Sequence, residues 1–404
     1  MTAMQKHMTV TDDLIERRRQ RSFKPFYPRD IYFNTQASWD TIRHFADGLG
    51  DTNPLFRDRE YARNTKYGRL IASPAFLYSV RWLSPGRGFT GVHGWYSGGE
   101  WEWYLPIYEG DEFKVICVLL DQDEKAGKMG KGRTWIDYSL VLFVNQKGEL
   151  VGGEKGYSIF AERSKAGSAG KFKGIPKTVY TEEELQRIYD LYENEEIRGA
   201  EPRFWEDVEV GEKIGPMVKG PLTVRDIITW MMGGGSQFYK AHKIAYDWVK
   251  RHPGGLMFVK ELGESDIPEL VHVFDSYARE IGVERAYDYG CQRMSWLCNL
   301  LTNWMGDEGF LWKMKGDLRS FNMVGDATFY EGRVAEKYME GDRCCVDIEA
   351  WATNQREEPS MAPTVSTVIL PSKTHGSVIY PEPPSERTKW VRKAKPLEEI
   401  LGGS

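Results

Sequence analysis

The stretch Asp51-Thr-Asn-Pro-Leu-Phe56 has a counterpart in the second half of the chain, Pro268-Glu-Leu-Val-His272, and this pairing decides the predicted fold. Phe56 lies 18 residues before Pro74, which belongs to the helix-start signal Ala-Ser-Pro-Ala-Phe, and His272 lies 18 residues before Gly290. Equal offsets between corresponding segments predict two diverged copies of one unit.

A Gly-Asp pair repeats in the same way, at Gly110-Asp111 and at Gly325-Asp326, 36 and 35 residues after Pro74 and Gly290. The first copy alone keeps an Asp-x-Asn-Pro element, and the second alone keeps a histidine at the matching place. We therefore expect the two halves to have different functions.

Length and charge limit the class of protein. The 404 residues suffice for two well-buried domains, and the formal net charge of -5 indicates no strongly basic face, which excludes a general nucleic-acid binder. The polar start Met1–His7 is not typical of a signal peptide, and no run is apolar enough to span a membrane. We expect a cytoplasmic protein with no membrane partner.

The five cysteines are odd in number and show no Cys-x-x-Cys spacing. This pattern is typical of reduced core thiols, so we expect a reducing compartment and no metal site.

The local patterns predict helices set against strands. Ser38 caps a helix that ends at Gly50, and Pro74 behind Ser73 starts an apolar helix that runs to Leu83. Aromatic and β-branched runs separated by Gly, Asp or Lys predict antiparallel strands in both halves. The fold class is therefore α+β, with a curved antiparallel sheet around one central helix in each half.

Composition also suggests the domain bounds. We predict an exposed N-terminal arm at 1–25, a first domain at 26–162, a linker and connecting helix at 163–202, a second domain at 203–372 and a surface tail at 373–404.

The segments Asp51–Asp58 and Tyr67–Pro74 resemble the hydratase element of the MaoC-like acyl dehydratases, the family of the R-specific enoyl-CoA hydratases. Pro268–Ala278 and Tyr287–Leu297 are similar to a subgroup of the same family. The resemblance covers roughly residues 30 to 370 and implies a double hotdog, with the two halves packed as a pseudo-dimer.

This chain departs from the family pattern in both halves. The family element ends Asp-x-Asn-Pro-x-His, and Phe56 stands at the histidine place, so we expect the first half to accommodate the acyl group without complete chemistry. In the second half Ile267 stands where the family has its aspartate.

The resemblance implies a hydratase or dehydratase that adds or removes water across the 2,3-double bond of an enoyl-CoA thioester. It implies a homo-oligomer and no cofactor, because coenzyme A is part of the substrate.

This reaction needs a base for water, a proton donor for the α-carbon and a dipole at the thioester oxygen. We predict His272 as the acid/base residue, with Glu269 as the first candidate carboxylate and Asp266 as the second. The N–H of Gly290, at the start of the central helix, is the predicted oxyanion donor, and glycine there would let the substrate approach closely.

Four further residues are candidate substrate contacts, each with a structural alternative. Tyr289 could place a hydroxyl near the carbonyl or pack the helix start, and Arg293 could bind an anionic group or pair with an acid. Asp51 and Asn53 could reach the substrate or stabilise their own loop as an Asx turn.

Two other functions remain open at this stage. A hotdog thioesterase would use the same helix end, and a non-catalytic acyl-CoA-binding subunit would fit the changes at Phe56 and Ile267. The sequence contains no phosphate loop, nucleophile elbow, zinc-protease motif or dinucleotide fingerprint.

Overall fold

The computed structural model describes residues 10–28, 33–82, 92–125, 133–162, 172–252 and 255–392. Residues 1–9 of the predicted arm, 163–171 of the predicted linker and 393–404 of the predicted tail lie outside the described ranges. Among the described helices, none combines the length and apolar character that a membrane crossing requires.

The α-helices in chain order are α1 (Asp12–Arg19), α2 (Trp39–Leu49), α3 (Arg59–Arg63), α4 (Leu77–Val80), α5 (Glu182–Glu193), α6 (Val224–Gly234), α7 (His242–Arg251), α8 (Asp275–Glu280), α9 (Gly290–Met305) and α10 (Ser385–Arg392). The 3₁₀ turns are Pro54–Phe56, Pro74–Phe76, Trp205–Asp207 and Pro268–His272.

The strands in chain order are β1 (Pro25–Phe26), β2 (Ile71–Ala72), β3 (Val92–Trp103), β4 (Ile107–Tyr108), β5 (Phe113–Lys125), β6 (Thr134–Asn145), β7 (Leu150–Glu162), β8 (Lys213–Lys219), β9 (Met257–Val259), β10 (Glu264–Asp266), β11 (Phe310–Asp317), β12 (Thr328–Glu340), β13 (Arg343–Asn354) and β14 (Pro359–Ile369).

Ten of these strands form one continuous sheet in the order β1-β5-β6-β7-β3-β11-β14-β13-β12-β8. The first five come from the first half of the chain and the last five from the second. Strands β3 and β11 join the halves as antiparallel neighbours, with Met314 opposite Trp101 and Gly316 opposite Gly99. The predicted α+β double hotdog is confirmed, and its two sheets are fused edge to edge.

Helix α9 is the central helix of the second half, and every residue from Cys291 to Met305 is buried. Its counterpart in the first half is much shorter than predicted, since a 3₁₀ turn at Pro74–Phe76 leads into α4, which ends at Val80. Ser73 does not cap this helix either, because its side chain makes no hydrogen bond to the helix start.

The repeated Gly-Asp pairs make the same turn in both halves. Gly110 and Gly325 have positive φ angles of 95° and 100°, a region that favours glycine. The next residue in each half closes the turn, because an Asp111 carboxylate oxygen accepts from Tyr108 N at 2.8 Å and one of Asp326 accepts from Met323 N at 3.1 Å. The predicted repeat is therefore a structural repeat.

Helices α2 and α6 are the second matched pair, and they pack against each other between the halves. Ser38 and Thr223 each cap their helix with a reciprocal capping box. Gly48 and Gly233 lie at the contact, where a Cβ on Gly233 would come within 2.1 Å of the His44 carbonyl oxygen. These glycines therefore set the distance between the two helices.

The prediction of an exposed N-terminal arm is wrong in part, since Arg18 of α1 is buried and forms an ion pair with buried Asp137 on β6. The predicted surface tail contacts the first half through Arg387 of α10, which donates to Tyr104 Oη at 2.6 Å.

Candidate functional site

A cavity of about 890 Å³ lies between the two halves and receives side chains from both. The second half contributes the 3₁₀ turn Pro268–His272 and the start of α9. The first half contributes the end of α4 and part of β3 and β7. Three of the predicted catalytic residues, His272, Glu269 and Gly290, therefore line a cavity whose other wall belongs to the first repeat.

His272 ends the 3₁₀ turn and faces the cavity. Its Nδ1 lies 2.9 Å from the Tyr287 carbonyl oxygen, and a carbonyl only accepts, so Nδ1 carries the hydrogen and Nε2 is left as the basic nitrogen. Burial lowers the pKa of His272 to about 4. The imidazole is therefore neutral near pH 7 and able to accept a proton.

Glu269 precedes His272 by three residues on the same turn and also faces the cavity. Residues three apart on a 3₁₀ helix lie on one side of it. Burial raises the pKa of Glu269 to about 8, although Ser236 Oγ donates to its carboxylate at 2.5 Å and favours the charged form. The carboxyl therefore keeps its proton near pH 7 and is able to donate it.

Gly290 begins α9 at the cavity wall, where the first amides of a helix have no partner within the helix. The reason for glycine differs from the predicted one. A Cβ at this position would lie 2.6 Å from Tyr96 Cδ1 and 2.9 Å from Leu318 Cδ1. Glycine is required here because β3 of the first half packs against the helix start.

Tyr289, the residue before this helix, supports His272. Its ring stacks on the imidazole with centroids 3.7 Å apart, and its hydroxyl points toward Met231 Sδ at 3.3 Å. The structural alternative of the sequence analysis fits this placement better than a hydroxyl aimed at a carbonyl.

Arg293 lines the cavity, but its guanidinium is already bound. It forms an ion pair with Asp288, both side chains being buried, and also donates to the Ser360 carbonyl oxygen at 3.3 Å. The guanidinium is held by the protein, so the prediction that Arg293 binds an anionic substrate group has no support in this geometry.

Asp266 lies away from the cavity wall, and its side chain is exposed on β10. One carboxylate oxygen accepts from the Ile267 amide at 2.7 Å. Asp275, which is also near His272 in sequence, accepts from Ala286 N at 2.9 Å and holds its own loop. Glu269 is therefore the carboxyl of this segment that accompanies His272.

Asp51 and Asn53 also lie outside the cavity wall, in the corresponding turn of the first half. Asp51 Oδ1 accepts from Asn53 N at 3.0 Å, and Asn53 Oδ1 accepts from Leu55 N at 3.0 Å, which is the Asx-turn alternative. Burial raises the pKa of Asp51 to about 6. Phe56 is buried and packs with Leu55 and Ile71, so an aromatic ring fills the histidine place.

Sequence reasoning missed the polar residues that come from elsewhere in the chain. Ser236, the partner of Glu269, follows the Gly233-Gly-Gly run, which matches no phosphate-loop motif. Tyr78, Tyr96 and Glu154 form a hydrogen-bonded group in which both tyrosines line the cavity and Glu154 lies behind them. No local motif marks these residues, because they come from separate segments of the chain.

No group of three or more His, Cys, Asp or Glu side chains within the described ranges could hold a metal ion. All five cysteines are free and buried, in agreement with the predicted reduced thiols.

Comparison with known proteins gives a family match in the first half. Residues 34–152 match the family model for the FAS1-like dehydratase domain region. A UPF0336 protein of Parafrankia sp. (strain EAN1pec) is 31% identical over 135 residues, which are 31% of this chain and 82% of that protein. A UPF0336 protein of Streptomyces avermitilis is 31% identical over 117 residues, 26% of this chain and 72% of that protein.

Comparison with solved structures covers both halves. A MaoC-like dehydratase superposes with a TM-score of 0.61 at 15% identity over 87% of this chain and 99% of that chain. A conserved hypothetical protein of Mycobacterium tuberculosis, described as a double hotdog, superposes with a TM-score of 0.50 at 10% identity over 86% of this chain and 96% of its own. At these identities the likeness shows the fold.

Proposed function

Because the chain belongs to the UPF0336 family and has the double-hotdog fold of MaoC-like dehydratases, we propose that it is a hydro-lyase for 2-enoyl-CoA and 3-hydroxyacyl-CoA thioesters. The observation that supports this most is the pair His272 and Glu269. The two side chains share one turn, face one cavity beside a helix start, and have pKa values displaced in opposite directions. Such a pair can serve as base and acid near neutral pH.

In the hydration direction His272 Nε2 takes a proton from water as the water oxygen bonds to the β-carbon. The electron pair of the double bond moves toward the thioester oxygen, where the Gly290 N–H and the positive end of the α9 dipole stabilise the developing charge. Glu269 then donates its proton to the α-carbon, and the proton on His272 returns to Glu269. Dehydration follows the same steps in reverse.

This proposal assigns the first half to the acyl group and the second half to the chemistry. No cofactor is needed for this reaction, because coenzyme A enters as part of the substrate. A cytoplasmic location, a homo-oligomer and the domain bounds stay predictions from the sequence.

The test is His272→Ala, assayed by loss of the enoyl thioester absorbance and, separately, by release of free thiol. We expect turnover to fall by about 10²- to 10⁴-fold, since a general acid-base group typically contributes that much. His375→Ala, which changes an exposed histidine outside the cavity, is the matched control.

Unchanged turnover in His272→Ala would reject the site. Release of free coenzyme A by the unmodified protein, with no change at the double bond, would identify a thioesterase instead.

A further inference from the structure

The first-half wall of the cavity contains a buried hydroxyl with no partner. Ser79 of α4 lines the cavity and is 0% exposed, and its Oγ forms no hydrogen bond with any residue that the structure describes. A buried hydroxyl left unpaired is unfavourable by roughly 1–3 kcal/mol, so such groups call for a specific explanation. A ligand atom that bonds to Ser79 Oγ would supply one.

Tyr78, the residue before Ser79, contributes its hydroxyl to a cluster of three oxygen atoms. Tyr78 Oη lies 2.9 Å from Tyr96 Oη, and the two hydroxyls lie 3.0 Å and 2.5 Å from Glu154 Oε1. Trp101 Nε1 also donates to Tyr78 Oη at 2.6 Å. Both tyrosines line the cavity, whereas Glu154 lies behind them on β7.

Both tyrosine hydroxyls are placed to donate to Glu154 Oε1. Burial raises the pKa of the Glu154 carboxyl to about 7, so below neutral pH this carboxyl also carries a proton. The wall therefore presents neutral hydroxyls to the cavity, which can accept as well as donate.

The polar wall lies next to the start of α9. Tyr96 is the residue that a Cβ on Gly290 would strike. Burial raises the pKa of the Cys291 thiol, and the nearby carboxyls of Glu154 and Glu269 raise it further. Both carboxyls, one from each half, therefore lie near the same helix start.

We propose that Ser79, Tyr78 and Tyr96 form a binding site for an oxygen substituent, a hydroxyl or a carbonyl, on the acyl group of the thioester. This inference rests on the proposed acyl-CoA function and names its substrate class. An unsubstituted alkyl chain would leave Ser79 Oγ unpaired and would cover the two tyrosine hydroxyls with hydrocarbon. A site built of buried hydroxyls favours a ligand that bonds to them and disfavours the analogue that lacks the oxygen.

The experiment is calorimetric binding of octanoyl-CoA and of a set of hydroxyoctanoyl-CoAs that differ in the position of the hydroxyl. The 3-hydroxy isomer is left out of the set, because a hydro-lyase would dehydrate it. Thioesters with neither a 3-hydroxyl nor a 2,3-double bond are not turned over, so binding is measured apart from the reaction. We expect at least one hydroxylated thioester to bind about tenfold more tightly than octanoyl-CoA.

Ser79→Ala and Tyr96→Phe should each remove most of that tenfold preference and leave octanoyl-CoA affinity within about twofold. Ser79→Ala removes a hydroxyl that has no partner in the protein, so thermal unfolding should stay the same or rise slightly. Ser366→Ala is the matched control, because Ser366 is equally buried and unpartnered among the described residues but lies on β14 away from the cavity.

The inference is overturned if no hydroxylated thioester binds more tightly than octanoyl-CoA, or if both variants keep the preference. If neither octanoyl-CoA nor any hydroxylated thioester binds, both this inference and the proposed acyl-CoA function on which it rests are overturned. If the thioesters bind with the expected preference but enoyl-CoA is never hydrated, the substrate class stands and only the proposed reaction fails.

Discussion

At the scale of single residues, the site depends on two neighbours being displaced from their ordinary pKa values in opposite directions. Burial disfavours the charged form of each, which lowers the pKa of His272 and raises that of Glu269. Hydrogen bonding opposes the effect of burial on each side chain, through the Tyr287 and Asp288 backbone for the imidazole and through Ser236 for the carboxyl. Changing such a partner should move one pKa without removing either catalytic group.

Ser236→Ala provides a prediction about the pH profile. With Glu269 acting as an acid, kcat/KM should fall as pH rises through about 8, the pKa of that carboxyl. The Ser236 hydroxyl stabilises the ionised carboxylate and thereby lowers this pKa, so removing the hydroxyl should move the alkaline limb to higher pH. The measurement is kcat/KM from pH 5 to 10.

Ser97→Ala is the control for that profile, because Ser97 also lines the cavity but donates to the Trp95 carbonyl oxygen. The fall of kcat/KM at high pH in Ser97→Ala should coincide with that of the unmodified protein. An alkaline limb that stays in place in Ser236→Ala would mean that another group controls it.

At the scale of elements, helices α2 and α6 connect the repeat to the site. They are equivalent in the two halves, pack through Gly48 and Gly233, and α6 leads directly to Ser236. Any change in the distance between these helices should therefore shift Ser236 and, through its hydrogen bond, disturb Glu269.

Gly233→Ala should destabilise the protein by about 2 kcal/mol or more, because the added methyl would meet the backbone of α2 and cannot be accommodated by a side-chain rotation. It should also lower kcat, since the segment carrying Ser236 shifts with α6. Urea unfolding and steady-state kinetics measure the two effects.

Met232→Ala tests whether the effect is specific to the helix contact. Met232 neighbours Gly233 on α6 but is exposed, so its removal should change stability by less than about 0.5 kcal/mol. Equal losses of stability and kcat in Gly233→Ala and Met232→Ala would contradict the explanation based on close packing of the two helices.

The elements also show what local patterns can predict. Ser38 and Gly50 predict α2 to within one residue, because capping groups act over a single turn. The short α4 could not be predicted, since its sequence is as apolar as that of a longer helix. Glu154 was missed because it lies in a strand, and only the pairing of β7 with β3 brings it to Tyr96.

At the scale of the whole molecule, the equal spacing of the two repeats predicts corresponding positions correctly. Phe56 and His272 each end a 3₁₀ turn, one short helix follows in each half, and Pro74 and Gly290 each begin the helical segment after it. The spacing could not predict that the cavity lies between the halves, because the antiparallel pairing of β3 with β11 joins strands far apart in sequence. For the same reason, the cavity wall formed by the first half meets His272 only when the two halves are assembled.

That assembly buries Glu154 where the halves meet, and this should appear in the pH dependence of folding. The pKa of Glu154 is about 7 in the folded protein against an ordinary value of 4.5. The folded state thus holds this proton more tightly than the unfolded state, so stability is full below about pH 4.5 and is lost as pH rises to about 7. Glu154→Gln has no proton to lose and keeps an acceptor for both tyrosines.

The variant should therefore gain stability relative to the unmodified protein by about 1–3 kcal/mol between pH 5 and pH 8, and no further gain should follow above pH 8. Urea unfolding of both proteins at several pH values measures this difference, in which all other titrating groups cancel. Met232→Ala, which removes no titratable group, should give a difference that does not vary with pH. A flat difference for Glu154→Gln as well would mean that Glu154 is ionised in the folded protein, and that the hydroxyls of Tyr78 and Tyr96 are committed to it.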